Sequence, residues 1–344
     1  MKRTALSLLI AVALIASIST ITTAAKNKKK APGPVAPPVT DPEKVDKYTG
    51  EYTGSFVVDG EKGDGLGQVI AEGKGKYRAV LMRGLWKTAK DAKQVRIELT
   101  GTVGADGNVA LEGGGWTGTL IGRKTLVAKC DKGSFNGEWT VRKSPTLCAK
   151  PPKGAIVLLP FKAGEKPSMD EWENKSWPTL SNGAMRVGKR NNFTVRKFGS
   201  SKLHIEWRCP YEPTKRGQGR GNSGVYTQKR YEVQVLESFG LASRSNDAGS
   251  IYKVANTKIN ASLPPLQWQT YDIEFKSAVI GADGKVKTPP TLTVSHNGIE
   301  IHKDQVLPSK TTAAAASGLT KKDSLMLQDH GNKVEYRNIW IVEK

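Results

Sequence analysis

Leu292-Thr-Val-Ser-His-Asn-Gly-Ile-Glu-Ile-His302 reads as a β-hairpin. Asn297-Gly298 tolerates the two positive φ values of a type I′ turn, so the flanking residues pair as His296 with Ile299, Val294 with Ile301 and Thr293 with His302. Side chains alternate across a strand, which gathers Leu292, Val294, Ile299 and Ile301 on a buried face, with His296 beside the turn on that side. His302 then shares the opposite face with Ser295 and Glu300.

The same period of two recurs on both sides of this hairpin, at Leu203 to Trp207, Tyr231 to Leu236, Thr270 to Phe275, Leu325 to Gln328 and Val334 to Val342. No stretch holds an amphipathic helical period for more than two turns, apart from the alanine run 313–316. Residues 151–344 therefore read as a β-sandwich or jelly roll. Residues 47–150 read as a separate small all-β domain of short alternating segments, with glycine turns expected at Gly104 to Gly107, Gly113 to Gly115 and Asn136-Gly137. The fold class is all-β throughout.

Composition narrows the function. The chain has 344 residues and a formal charge of +21, but the excess is spread along it rather than gathered with stacking aromatics, which argues against a nucleic-acid partner. Three cysteines without a Cys-x-x-Cys pair exclude a zinc ribbon. Cys130 and Cys148 either close a disulfide or remain thiols. All four histidines (His204, His296, His302 and His330) lie in the C-terminal half, which places any imidazole chemistry there.

Lys2 and Arg3, the apolar run Ala5 to Ile21 and Thr23-Ala24-Ala25 form an export signal, so residues 1–25 are expected to be removed and the protein to be periplasmic or extracellular, with no membrane span afterwards. Residues 26–46 are a Lys/Pro-rich linker, with five prolines between Ala31 and Pro42.

One motif is misleading. Gly219-Arg-Gly-Asn-Ser-Gly224 matches the dinucleotide pattern, but a polar loop precedes it and a β-patterned stretch follows. No strand leads in and no helix N-terminus receives a pyrophosphate. The informative feature is the polar side of three strands: His204, Glu206 and Arg208; Glu232 and Gln234; Asp272 and Glu274. If those strands share a sheet, their groups line one groove. Paired carboxylates there would also suit a conventional glycosidase.

Arg220-Gly-Asn-Ser-Gly-Val-Tyr226, Arg230-Tyr-Glu-Val-Gln-Val-Leu-Glu237, Pro265-Leu-Gln-Trp-Gln-Thr-Tyr-Asp272, His296-Asn-Gly298, Leu327-Gln-Asp-His-Gly331 and Arg337-Asn-Ile-Trp340 occur in this order. Together they resemble the 3-keto-disaccharide hydrolase domain family, a concanavalin A-like sandwich similar to laminarinase-type glycoside hydrolases, over residues 155 to 344. The resemblance implies a sugar site on the concave sheet and a 3-keto-sugar or other carbohydrate as partner. A ketone at C3 acidifies the C2 proton, so a base removes it, the C1 substituent leaves, and water completes a net hydrolysis. On this reading Glu232 or Glu206 is the base and His330 its acid or base partner. Arg220, Asn222, Gln234, Gln328 and Arg337 contact the sugar and the enolate, with a divalent metal as an alternative stabiliser. A non-catalytic carbohydrate-binding sandwich is the competing expectation.

Overall fold

The computed structural model describes residues 46–85 and 95–344. The expected signal segment and nearly all of the expected linker lie outside the described residues.

Eight strands close into a barrel: β1 (Gly50–Val58), β2 (Glu61–Gly73), β3 (Lys76–Arg83), β4 (Arg96–Val103), β5 (Val109–Gly113), β6 (Trp116–Ile121), β7 (Thr125–Cys130) and β8 (Gly133–Thr140). β8 returns to pair with β1, placing Tyr52 opposite Trp139 and Phe56 opposite Phe135. Inward positions alternate large and small residues, as a narrow barrel requires. Asn136-Gly137, expected as a turn, lies inside β8 instead. Gly137 is there for space: a β-carbon would come within 2.7 Å of the Phe135 ring. The glycine triplet 113–115 does form a turn, all three residues taking positive φ.

The second half adds β9 (Ile156–Leu159), β10 (Met185–Arg186), β11 (Asn192–Phe198), β12 (Ser201–Arg208), β13 (Ser223–Thr227), β14 (Tyr231–Val235), β15 (Gln269–Lys276), β16 (Val279–Ile280), β17 (Val286–Thr288), β18 (Thr291–His296), β19 (Ile299–Val306), β20 (Asp323–Leu327) and β21 (Glu335–Glu343). One sheet runs β10-β21-β12-β15-β18-β19 with β9 beside β21, and the other runs β11-β20-β13-β14. Leu203, Ile205 and Trp207 of the first sheet pack against Val225, Val233 and Leu327 of the second. This is the concanavalin A-like sandwich, and burying such alternating apolar faces between two sheets is what holds it together.

The hairpin that opened the sequence reading forms with one difference. His296 pairs with Ile299 and Ser295 with Glu300, but Val294 pairs with His302 rather than Ile301. The bulge turns both Ile301 and His302 inward, and the His302 ring nitrogen Nε2 lies 2.9 Å from the Gly249 carbonyl. His296 is enclosed beside Gln269, and burial lowers its pKa to about 3, so this imidazole is neutral and structural.

The barrel is docked on the sandwich. Ile70, Val80 and Met82 pack with Phe239, and Arg142 bridges Glu51 at 3.0 Å while donating to the Ser262 carbonyl. Cys130 and Cys148 are both free thiols, so no disulfide ties the segment between them.

Candidate active site

The four-stranded sheet sets out its side chains in rows. Gln228 and Lys229 take positive φ values of 50° and 58°, closing β13 onto β14 and putting Tyr226 opposite Glu232. Met326 pairs with Tyr226 on one side and with Phe193 on the other. Directly opposed residues share a face, so Phe193, Met326, Tyr226 and Glu232 form one row across the face turned away from the core. Gly224 and Gln234 belong to the neighbouring row, where the Gln328 amide N–H donates to the Gly224 carbonyl.

Glu232 is 1% exposed, and its Oε2 has no hydrogen-bond partner. Burial pushes its carboxyl up to about 7 against a hydrogen bond with Tyr226 that works the other way. The Gln328 side-chain amide donates to the Tyr226 hydroxyl at 3.0 Å, which fixes that ring. Gln234 offers one amide atom 2.8 Å from Glu232 Oε1 and 3.0 Å from the Ser223 carbonyl. With Glu232 ionised this atom must be the nitrogen, since an oxygen would face two acceptors. Asn222 donates to the Gln218 carbonyl, and Gln218 reaches the Gln234 amide at 3.1 Å. A carboxyl with an unsatisfied oxygen, poised between protonation states and bordered by amides, has the properties of a general base.

Four of the eight residues expected from sequence thus meet here: Glu232, Gln234, Asn222 and Gln328. His330 lies exposed in the turn after β20. That turn is anchored by its neighbours, with Asp329 accepting from the Arg190 N–H and the Asn332 amide donating to the Gly219 carbonyl. His330 therefore occupies the rim of this face, next to the Gln218 loop.

The other three are elsewhere, which corrects the expectation of one shared groove. Because Leu203, Ile205 and Trp207 fill the core, Glu206 points away from it on the far side of the seven-stranded sheet. There Arg337 donates to it at 2.7 Å, Asn338 at 2.8 Å and the Cys148 N–H closes over it. Asn338 has φ of 46°, a bulge that turns two consecutive side chains of β21 toward Glu206. Arg337 is also sandwiched between the rings of Phe161 and Trp268. Glu206 and Arg337 form a buried structural pair. Arg220 is ion-paired with the buried Glu237 and donates to the Ala71 carbonyl of the barrel, so it holds the barrel–sandwich seam.

Tyr226 and Gln218 were missed. Tyr226 was open to inference, since residues 226 and 232 are equidistant from the centre of a tight hairpin; Gln218 sits in a loop that carries no periodic signal. A divalent metal does not fit this set of one carboxylate, several amides and a phenol. Among the described residues no three of His, Cys, Asp and Glu are placed so that they could hold a metal ion together.

Residues 155–342 match the family described as 3-keto-alpha-glucoside-1,2-lyase-like domain. A solved structure from Parabacteroides distasonis ATCC 8503, assigned provisionally as a glycosyl hydrolase, is 32% identical, covers 56% of this chain and 85% of its own, and superposes with a TM-score of 0.50. A second from the same organism, assigned likewise, is 17% identical over 56% of this chain and 94% of its own, with a TM-score of 0.41. No curated protein matches.

Proposed function

We propose, for a chain that belongs to the 3-keto-alpha-glucoside-1,2-lyase-like domain family and is a carbohydrate-active enzyme, that Glu232 is the base of a 3-keto-glycoside cleavage. The observation that carries this reading is the buried Glu232 carboxyl itself, pushed up to about 7 with one oxygen unpartnered. Glu232 removes the proton at C2, and the electron pair moves into the C3 ketone as an enolate. The Gln328 amide, which gives one N–H to Tyr226, has a second to offset the charge that develops on the ketone oxygen, while the Gln234 and Asn222 amides hold Glu232 and Gln218 in place. The electron pair then returns to expel the C1 oxygen, which leaves with a proton supplied from the His330 side of the face. Water added across the resulting double bond gives net hydrolysis; its release unchanged makes the enzyme a lyase.

Access comes from the β11 end of the face. There a hollow of about 500 Å³, lined by Glu173, Asn174, Arg190, Asn191 and Phe193, borders the Phe193 end of the row that runs to Glu232. A conventional glycosidase using Glu206 with Glu232 is disfavoured, because carboxyls on opposite sides of a packed core cannot flank one glycosidic bond. Export, and with it a periplasmic or extracellular site of action, is part of the proposal and rests on the sequence of residues 1–25.

Incubation with 3-keto-trehalose and with trehalose tests the reading. Cleavage of the keto sugar alone, lost in Glu232→Gln, is the expected result. Cleavage of both sugars would make the protein a conventional glycosidase, and binding without turnover a carbohydrate-binding module.

A further inference from the structure

The seam between barrel and sandwich encloses a second cavity, of about 370 Å³, a volume within the range of small-ligand sites. The barrel contributes Asp46, Arg123 and Trp139 to its wall, and the sandwich contributes Tyr211, Gln267 and Trp268. Trp268 packs on Arg337, the partner of Glu206, so the cavity lies on the Glu206 side of the sandwich, across the core from Glu232.

Its three rings are half-exposed yet held in place. The Tyr211 hydroxyl donates to Asp46 Oδ2 at 2.9 Å, the Arg337 guanidinium carbon lies 4.1 Å from the centre of the Trp268 ring, and that of Arg123 lies 5.3 Å from the centre of Trp139. In the sandwich core, by contrast, Trp172, Trp177 and Trp207 are sealed from water. Ring surface left open on side chains already immobilised lowers the cost of binding a ligand that has an apolar face.

The charges of this wall are balanced within the fold. Asp46 accepts from neutral donors, the Tyr48 N–H and the Thr49 and Tyr211 hydroxyls, and so keeps its negative charge. Arg123 on the same wall carries the opposite sign and donates to the Asp46 carbonyl at 2.9 Å. Arg142 is matched by Glu51 and Arg208 by Glu335. Lys143 is exposed, where salt and water screen it. Neither an anion nor a cation is favoured by this arrangement.

We propose that the seam is a second, non-catalytic binding site for a neutral saccharide built from pyranoses with equatorial hydroxyls. Such rings carry C–H groups on both faces, which suit the open indole and phenol surfaces, while their hydroxyls suit the half-exposed Gln267 amide. The saccharide part rests on the carbohydrate-active character of the chain; the indifference to charge rests on the cavity alone. The barrel then has a task of its own, because it builds one side of the site.

Calorimetric titration of the full chain with cellotriose tests this without requiring turnover. Binding is expected, with an affinity that changes less than about twofold between low salt and about 0.5 M NaCl, because no unbalanced charge takes part. Cellobiouronate should bind no more tightly than cellobiose. Gln267→Ala, a half-exposed change, should weaken cellotriose about fivefold, the worth of one hydrogen bond. Leu147→Trp, which fills the cavity, should abolish binding and keep the cleavage of 3-keto-trehalose. No binding of cellotriose, a preference of about tenfold for the acidic sugar, or affinity unchanged in both variants would overturn the proposal. Loss of cleavage together with binding in Leu147→Trp would make the seam part of the catalytic site and overturn it equally. Absence of 3-keto-trehalose cleavage in the wild type would count against the Glu232 reading alone.

Discussion

The carboxylate of Glu232 occupies the space that a β-carbon on Gly224 would need. Gly224 shows no positive φ, so alanine is acceptable to the backbone and the conflict is purely one of space. The added methyl would also come within 2.6 Å of the Tyr226 ring, which Gln328 holds in place. Gly224→Ala should therefore displace Glu232 rather than unfold the sheet, lowering stability by about 1–3 kcal/mol and turnover by on the order of a hundredfold. Thermal melting and 3-keto-trehalose cleavage measure the two effects. Full turnover in this variant would show that the pose of Glu232 does not matter to the reaction.

The ionisation of Glu232 links activity to stability. In the unfolded chain the carboxyl titrates near 4.5, and in the folded protein near 7, so folding favours the protonated form. The stability this contributes is complete below about pH 4.5 and is lost as the pH rises to about 7, a change of about 3 kcal/mol. Activity should move oppositely, rising through about pH 7 as the base ionises. Glu232→Gln removes both dependences. At pH 8 this variant should be inactive yet have the higher urea midpoint, and a wild-type midpoint that does not fall between pH 5 and 8 would contradict the argument.

Strand periodicity located the polar faces of β12 and β14 but could not tell that they belong to different sheets. Glu206 and Glu232 have identical local patterns, each flanked by core side chains. Which side of the sandwich each faces is set by strand order, and that depends on pairings between residues more than 100 positions apart, such as Glu206 with Arg337. The bulges at Ile301 and Asn338 were hidden for a related reason, since each answers to a partner strand rather than to its own sequence. Gly137 misled because glycine serves turns and tight packing equally well.

Removal of Arg337 separates the structural from the catalytic assignment of the Glu206 pair. Arg337→Ala leaves a fully buried carboxylate without its cation, and should destabilise by about 3–5 kcal/mol. Turnover per folded molecule should be preserved, because this pair lies across the core from Glu232. Urea unfolding with activity normalised to the folded fraction provides the measurement. A large fall in kcat with little loss of stability would return Arg337 to the reaction.

His204 gives the far face its own pH response. Burial alone would lower its pKa, but the hydrogen bonds and charges of Asp272, 2.7 Å from Nδ1, and of Glu206 outweigh that and raise it above the usual imidazole value. A raised imidazole stabilises the fold fully below about pH 6.5 and ceases to do so as the pH climbs through the folded value. Its loss therefore has the same sign as that from Glu232 and overlaps it at the upper end. Two variants resolve them: Glu232→Gln should keep the upper phase, and Asp272→Asn, which removes the charge beside Nδ1, should keep the lower one while losing about 1–2 kcal/mol near pH 5.5. Imidazole proton shifts followed by NMR in Asp272→Asn should show His204 titrating at lower pH than in the wild type. An unchanged His204 titration there would mean that Asp272 positions the ring without charging it.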